Sequence, residues 1–345
     1  MKAAILEKIN EPLIIGEVDL TDLLPGQVLV KVLVSGICGA QLQEIAGNKN
    51  NAAYVPHLLG HEGCGIVEDI GPGVTKVKKG DKVIMHWRKG DGIESDFPRY
   101  VYKGKTIRSG KVTTFSEYSI VSENRITPVP MDTPNDLCAL LGCGLSTALS
   151  TITNEAKVQP GESIMIIGLG GLGTCFIKAA CFSGANPIIG LDIHDSKKNT
   201  LKMLNGDLYV NHAKKDVVES MQRKFGIKEV DVIIDTSGNA KIIAETIPLL
   251  GNDGRYILVG QTKPGESVEV KIANHLFGGV EGKMIKATQG GKFSPSRDIP
   301  RYVHLHKAGL LNIDNIISHR TTLKNINNAI KLMRSGKANR IVIDF

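Results

Sequence analysis

Cysteine is sparse in this chain, and no two cysteines stand in a CxxC spacing. The six lie at positions 38, 64, 138, 143, 175 and 181 of 345. A disulfide framework belongs to short secreted chains with closely spaced pairs, so that class is excluded. Long apolar runs are missing too: none reaches the eighteen or so residues of a membrane span. The opening MKAAILEKIN has no signal-peptide apolar core, which reads as a cytoplasmic protein. There is one tryptophan and no dense basic run, which gives nucleic-acid binding little support.

What is present is the composition of a globular protein, 42% apolar and 22% charged, with 38 glycines. The length exceeds one ordinary core and predicts two domains. Net charge is +7, from 42 basic and 35 acidic residues. A lysine-rich surface accounts for that; attraction of an anionic ligand such as a dinucleotide or a phosphorylated substrate is the functional reading.

Up to about residue 145 the chain is β-rich. Apolar runs and alternations such as QVLVKVLVSG, GCGIVEDIG and DKVIMHW are separated by Gly/Pro turns, as in a small barrel or sandwich. From residue 163 apolar runs alternate with helical patterns. SIMIIGLG, PIIGLD, VDVIIDTSG, RYILVG and KMIKATQG read as strands of a parallel sheet, with helices between them that include LGTCFIKAACFSGA. The tail, 297–345, has two helical stretches and a last strand, RIVIDF.

IMIIGLGGLG places Gly168, Gly170 and Gly173 in a G-x-G-x-x-G array between a strand and a helix. The first glycine makes the turn, the second lets a pyrophosphate approach the backbone, and the third lets helix pack on strand. The second strand ends at Asp192, 19 positions after Gly173. A carboxylate there accepts from both adenosine-ribose hydroxyls and repels a 2′-phosphate, so NAD is expected rather than NADP.

Cys38, His61 and Cys143 are candidate metal ligands. Singly, each is more often a packing residue. Together, two thiolates and an imidazole suit Zn²⁺, and three protein ligands leave a fourth position for catalysis. Spacing alone does not show that they converge. Cys64, Cys138, Cys175 and Cys181 read as packing residues, and His304 and His306 as surface residues.

The segments GICGAQ, GHEGCGIVEDIGPGVTKVKKGDKVI, TTFSEYSIV, LLGCGLSTALS, GLGGLG with GLDI, and LMRSGKANRIVIDF resemble the zinc-dependent alcohol dehydrogenases of the medium-chain dehydrogenase/reductase superfamily over nearly the whole chain. The resemblance implies an α/β protein with a GroES-like catalytic domain, 1–144 and 289–345, and a Rossmann NAD-binding domain, 145–288. It implies that Cys38, His61 and Cys143 hold a catalytic zinc and that Glu62 is a carboxylate able to exchange onto it. Gly168, Gly170, Gly171, Leu172, Gly173 and Val259 become cofactor-binding positions. Thr147 is placed against the nicotinamide, Asp192 and Lys197 at the adenosine ribose, and Arg340 at the pyrophosphate. The implied reaction is hydride transfer between a zinc-bound alcohol and the nicotinamide. A homodimer or tetramer through the Rossmann sheets is implied, with RYILVG to KMIKATQG as the matching region.

Two departures stand out. Members with a second, structural zinc carry four close cysteines after the GDKVI strand. Here residues 85–115 contain none, so one zinc per chain is expected. His86 and Trp87 in that stretch are expected beside the substrate. The second departure is at Ala40 and Gln41, where the family usually has a hydroxyl that starts a proton relay and an Asp that orients the zinc-bound histidine. Gln41 is expected to accept from the His61 ring through its amide oxygen. Protons are then expected to move through ordered water, with His86 or a substrate hydroxyl. A polar alcohol, polyol or sugar derivative is the expected substrate class. The alternatives are a zinc-free quinone-type reductase of the same superfamily and a catalytically retired nucleotide-binding protein.

Overall fold

A computed structural model describes residues 1–49, 52–270 and 282–345. It divides into two compact units. The first comprises Met1–Ser146, Phe293–Leu311 and Ile317–Phe345.

The centre of the first unit is strand β1 (Gln27–Ile37), built on the valine-rich run that the sequence singles out. It pairs antiparallel with β2 (Glu62–Ile70), which pairs antiparallel with β3 (Lys82–His86). On its other side the C-terminal strand Arg340–Asp344 lies antiparallel to β1, with Ile341 opposite Ile37 and Ile343 opposite Ser35. The tail thus returns to complete the N-terminal sheet. Val28, Val30, Val32, Val67, Val83 and Met85 form one core cluster, while Ile37, Leu59, Phe115, Ile326, Ile341 and Ile343 belong to another. Each such side chain contributes roughly 1.5–3 kcal/mol on burial.

Helix α1 (Gly39–Ile45) follows β1 directly, with Cys38 as its N-cap residue. Helix α2 (Asn135–Leu141) is almost wholly buried and ends at a turn carrying Cys143. Between β3 and residue 115 the chain forms an irregular lobe with two short strands, Tyr100–Tyr102 and Lys105–Ile107. Carboxylates hold it in place. Glu123 accepts from the backbone N–H groups of Thr75, Lys76 and Ile93 at 2.7–2.8 Å. Glu94 pairs with Lys89 at 3.2 Å and Arg125 at 3.1 Å.

The second unit comprises Thr147–Lys292 and Asn312–Ile316. Its strands are β4 (Ile164–Ile167), β5 (Ile188–Asp192), β6 (Leu208–Asn211), β7 (Val230–Asp235), β8 (Leu250–Leu258) and β9 (Met284–Ala287). They form one parallel sheet in the order β6-β5-β4-β7-β8-β9. β4 is buried along its length, as a strand covered on both faces must be. Strand order reverses beside β4, the switch point at which such sheets bind nucleotides. Helix α3 (Gly171–Phe182) leaves from that point.

Two strands lie where the sequence pattern shows none. β6 sits at a sheet edge within a polar stretch read as helix. Ile317–Thr322 is an edge strand with mostly exposed side chains, so apolar alternation is lost. The expected dimer region runs through β8 and β9; its intervening residues 271–281 lie outside the described residues. Among the described residues no single helix is long and apolar enough to cross a membrane.

Candidate active site

Three different local structures bring Cys38, His61 and Cys143 together. Cys38 lies at the junction of β1 and α1, His61 just before β2, and Cys143 in the turn after α2. One potential ligand atom from each lies within 4.8 Å of the others. The two Sγ atoms are 4.0 Å apart. Tetrahedral zinc with Zn–S bonds of about 2.3 Å needs about 3.8 Å between sulfurs, so the donor set fits Zn²⁺ in both chemistry and spacing. All three residues are half-buried.

Charge is arranged to free a ligand. A hydrogen bond from Cys143 to Cys38 holds the Cys38 thiol well below its ordinary range, while the same proton pushes Cys143 up. Burial opposes protonation of His61, but the neighbouring Cys38 outweighs it and raises the ring. Loss of the first thiol proton is therefore favoured before any metal arrives.

The turn carrying His61 depends on Gly60. Its φ is +96°, and a Cβ there would sit 2.5 Å from Thr114 Oγ1 and 2.7 Å from the Phe115 backbone nitrogen. The Gly60 N–H donates to Gln41 Oε1 at 2.7 Å. Gln41 Nε2 then faces His61 Nδ1 at 2.7 Å. This reverses the sequence expectation for Gln41. Its oxygen serves the backbone, its nitrogen faces the ring, and Nδ1 is the acceptor in this arrangement. A neutral ring that accepts at Nδ1 carries its proton on Nε2, so a metal at Nε2 requires that proton on Nδ1 instead and an acceptor, such as the Gln41 amide oxygen, turned to meet it.

Glu62 is fully buried and forms an ion pair with Arg340, itself almost fully buried. Three glycines make room for the pair. A Cβ at Gly36 would lie 2.7 Å from Glu62 Oε1, one at Gly142 2.9 Å from the Glu62 Cβ, and one at Gly144 2.8 Å from the Arg340 guanidinium. Burial pushes the Glu62 carboxyl up to about 7, with Arg340 pulling it down and Cys38 adding to the rise.

His86 is a correction. It is fully buried, with Nδ1 on the Arg88 carbonyl at 2.7 Å and Nε2 on the Thr127 hydroxyl at 3.0 Å. Both nitrogens are engaged inside the fold, so the ring is neither a pocket wall nor a proton carrier. Burial pushes its pKa down to about 3. Trp87 is half-buried, with the Arg88 guanidinium 5.8 Å from its ring.

In the second unit, Gly168 turns the chain at φ +83°, and a Cβ at Gly173 would lie 1.9 Å from the Gly168 carbonyl oxygen. Both glycines are required by the chain's own packing. Gly170 is not: a Cβ there would meet nothing within 4 Å. A glycine that packing does not require, at the N-cap of α3, suits close approach by a phosphate. Gly171 and Leu172 open the helix. Asp192 ends β5 and accepts from Leu169 N–H at 2.8 Å and His194 N–H at 2.9 Å. Each of its oxygens keeps a second lone pair for a ribose hydroxyl. Thr147 and Lys197 are buried, and Val259 is half-buried, its N–H donating to the Asp235 carbonyl at 2.9 Å.

Sequence reasoning missed Glu44 and His57. Gln41 Nε2 lies 3.3 Å from Glu44 Oε2, and Glu44 Oε1 lies 3.1 Å from His57 Nε2. The signal was available: Glu44 follows Gln41 by three residues on α1, which puts both on one face.

These features define a protein class, and comparison with known proteins gives the same class. Residues 24–131 match the alcohol dehydrogenase GroES-like domain, and residues 171–308 match the zinc-binding dehydrogenase domain. The chain belongs to the alcohol dehydrogenases of the medium-chain dehydrogenase/reductase superfamily. It is 30% identical to alcohol dehydrogenase 6 of Peromyscus maniculatus, over 99% of this chain and 97% of that protein. It is 25% identical to an alcohol dehydrogenase zinc-binding domain protein from Burkholderia ambifaria, with a TM-score of 0.90 over 100% of this chain and 98% of that one. It is also 25% identical to benzyl alcohol dehydrogenase from Acinetobacter calcoaceticus, with a TM-score of 0.88 over 100% and 99%. The protein is a dehydrogenase by family.

Proposed function

We propose that this chain is a zinc- and NAD(H)-dependent alcohol dehydrogenase, one zinc per chain, acting on a polar alcohol such as a polyol or sugar derivative. The observation that carries the reading is the cluster of Cys38, His61 and Cys143 within 4.8 Å. When bound, zinc supplies a Lewis acid for the oxygen of the alcohol or carbonyl compound, and the nicotinamide takes or gives the hydride.

The chain's residues do the rest. Cys38 and Cys143 offer thiolates, and Gln41 holds the His61 ring. Arg340 balances Glu62, so that carboxylate stays folded behind the ligands and available to them. Gly170 admits the pyrophosphate to the helix N-terminus, and Asp192 takes the adenosine ribose and repels a 2′-phosphate. Ala40 presents no hydroxyl and His86 is sealed in the fold, so the substrate proton leaves through water or a hydroxyl of the substrate itself. A polyhydroxylated substrate brings such a group with it, which supports that class, as does the net charge of +7 for an anionic one.

The test is a screen of alcohols, polyols and sugar phosphates with NAD and NADP, read by reduced-nicotinamide absorbance, with Cys38→Ser as control. Turnover with NAD that Cys38→Ser abolishes is expected. Undiminished turnover in Cys38→Ser would point to a zinc-free reductase, and no turnover with any substrate would point to a retired nucleotide-binding protein.

A further inference from the structure

Asp235 ends β7, across β4 from the strand that ends in Asp192. It is fully buried. Its carboxylate folds back onto the turn that follows. Oδ1 accepts from the Ser237 hydroxyl at 2.6 Å and the Ser237 N–H at 3.2 Å, and Oδ2 accepts from the Gly238 N–H at 2.9 Å. Its main-chain carbonyl accepts from the Val259 and Gly260 N–H groups, both at 2.9 Å, in the turn after β8. One residue thus gathers two turns, one from each of two neighbouring strands.

The two turns pack tightly against each other. A Cβ at Gly260 would lie 2.3 Å from the Gly238 nitrogen and 2.9 Å from Asp235 Oδ2. Gly238 has φ +64°, and a Cβ there would lie 2.1 Å from the Gln261 carbonyl oxygen. Thr236 ties the pair to the glycine array. Its N–H donates to the Ile167 carbonyl at 2.9 Å, and its hydroxyl lies 2.9 and 2.8 Å from the Ile167 and Gly168 carbonyls. Burial pushes the Asp235 carboxyl up, while the hydrogen bonds from Ser237 and Gly238 pull it down. A buried carboxylate is tolerated when its oxygens are met by donors, and here both are.

A doubly wound sheet binds a dinucleotide with one mononucleotide on each half. Asp192 marks the adenosine half, so the half that holds β7 and β8 is left for the nicotinamide nucleotide. We infer that Asp235 is a positioning residue for the nicotinamide half of the cofactor: its carboxylate and its carbonyl together fix the 236–238 and 259–260 turns as one surface. Gly168 joins that surface to the pyrophosphate turn through Thr236. The inference rests on the proposed NAD(H) role of the second unit, and it adds which residue shapes the half that Asp192 does not serve.

The experiment measures binding to the purified full chain, of NADH by nicotinamide fluorescence and of ADP by calorimetry. ADP keeps the adenosine and both phosphates and lacks the nicotinamide riboside. Asp235→Asn has one acceptor oxygen where the carboxylate has two, so its NH₂ group faces a backbone N–H. It is expected to weaken NADH about ten-fold, the scale of one buried donor left without an acceptor, and to leave ADP within about two-fold. Ser237→Ala removes only the hydroxyl contact and should give the same split at about three-fold, so it carries the test if Asp235→Asn does not fold. Equal weakening of NADH and ADP would overturn the inference and mark Asp235 as a residue of general stability. NADH binding unchanged in both variants would overturn it as well. A wild-type chain that does not bind NADH would instead overturn the proposed cofactor role on which the inference rests.

Discussion

At the scale of residues, the candidate site gathers Cys38, His61 and Cys143, with Ala40 and Gln41 beside them. Ala40 has no hydroxyl. Gln41 presents an amide whose orientation is set from two sides. Glu62 and Arg340 form a buried pair that three glycines accommodate, so its geometry is built into the backbone around it. His86 has a different consequence. Its pKa falls from 6.5 to about 3 on folding, so the unfolded chain takes up a proton there that the folded chain refuses. The stability His86 contributes is present above about pH 6.5 and is lost as pH falls towards 3, at about 1.4 kcal/mol per pH unit. Burial pushes Glu62 the other way, and its contribution is lost as pH rises through about 7. The clean measurement is therefore a difference. Between pH 7 and pH 5, His86→Leu should lose about 2 kcal/mol less than the wild type in urea unfolding of the metal-free chain. Equal pH dependence would contradict the assignment of His86 as a buried neutral ring.

At the scale of elements, the lobe after β3 shows how this chain holds a segment without cysteine ligands. Glu123 gathers three backbone N–H groups from two separate stretches, at Thr75 and Lys76 and at Ile93. Glu94 adds charged partners at 3.1–3.7 Å. Removing the Glu123 carboxylate leaves those donors without an acceptor, at roughly 1–3 kcal/mol for each that stays buried. Glu123→Ala should raise hydrogen–deuterium exchange in residues 87–97 while leaving the parallel sheet of the second unit unchanged. Unchanged exchange in the lobe would show that Glu94 and packing suffice. The anchoring was invisible in sequence, because carboxylates that bind backbone far along the chain leave no spacing to read. By contrast, β1 and β4 were legible, since buried strands must be continuous apolar runs. β6 and Ile317–Thr322 were not, since edge strands face solvent. The glycine array was legible for a physical reason: Gly168 and Gly173 are dictated by a turn and a close approach within the chain, and Gly170 is not.

At the scale of the whole molecule, the chain belongs to the alcohol dehydrogenases of the medium-chain superfamily, and the outer members of its candidate ligand trio, Cys38 and Cys143, lie 105 residues apart in sequence. Motif identity pointed to that trio, but only the folded first unit brings the side chains within reach of one ion. Glu44 and His57, joined to the ring through Gln41, and the cysteine-free lobe belong to the surroundings of the candidate site. The account turns on one zinc held by Cys38, His61 and Cys143 and none held elsewhere. Elemental analysis of the purified full chain, wild type beside Cys38→Ser, tests this most directly. One tightly held zinc per chain in the wild type and none in Cys38→Ser is the predicted result. Two tightly held zincs in the wild type, or one that survives in Cys38→Ser, would contradict it.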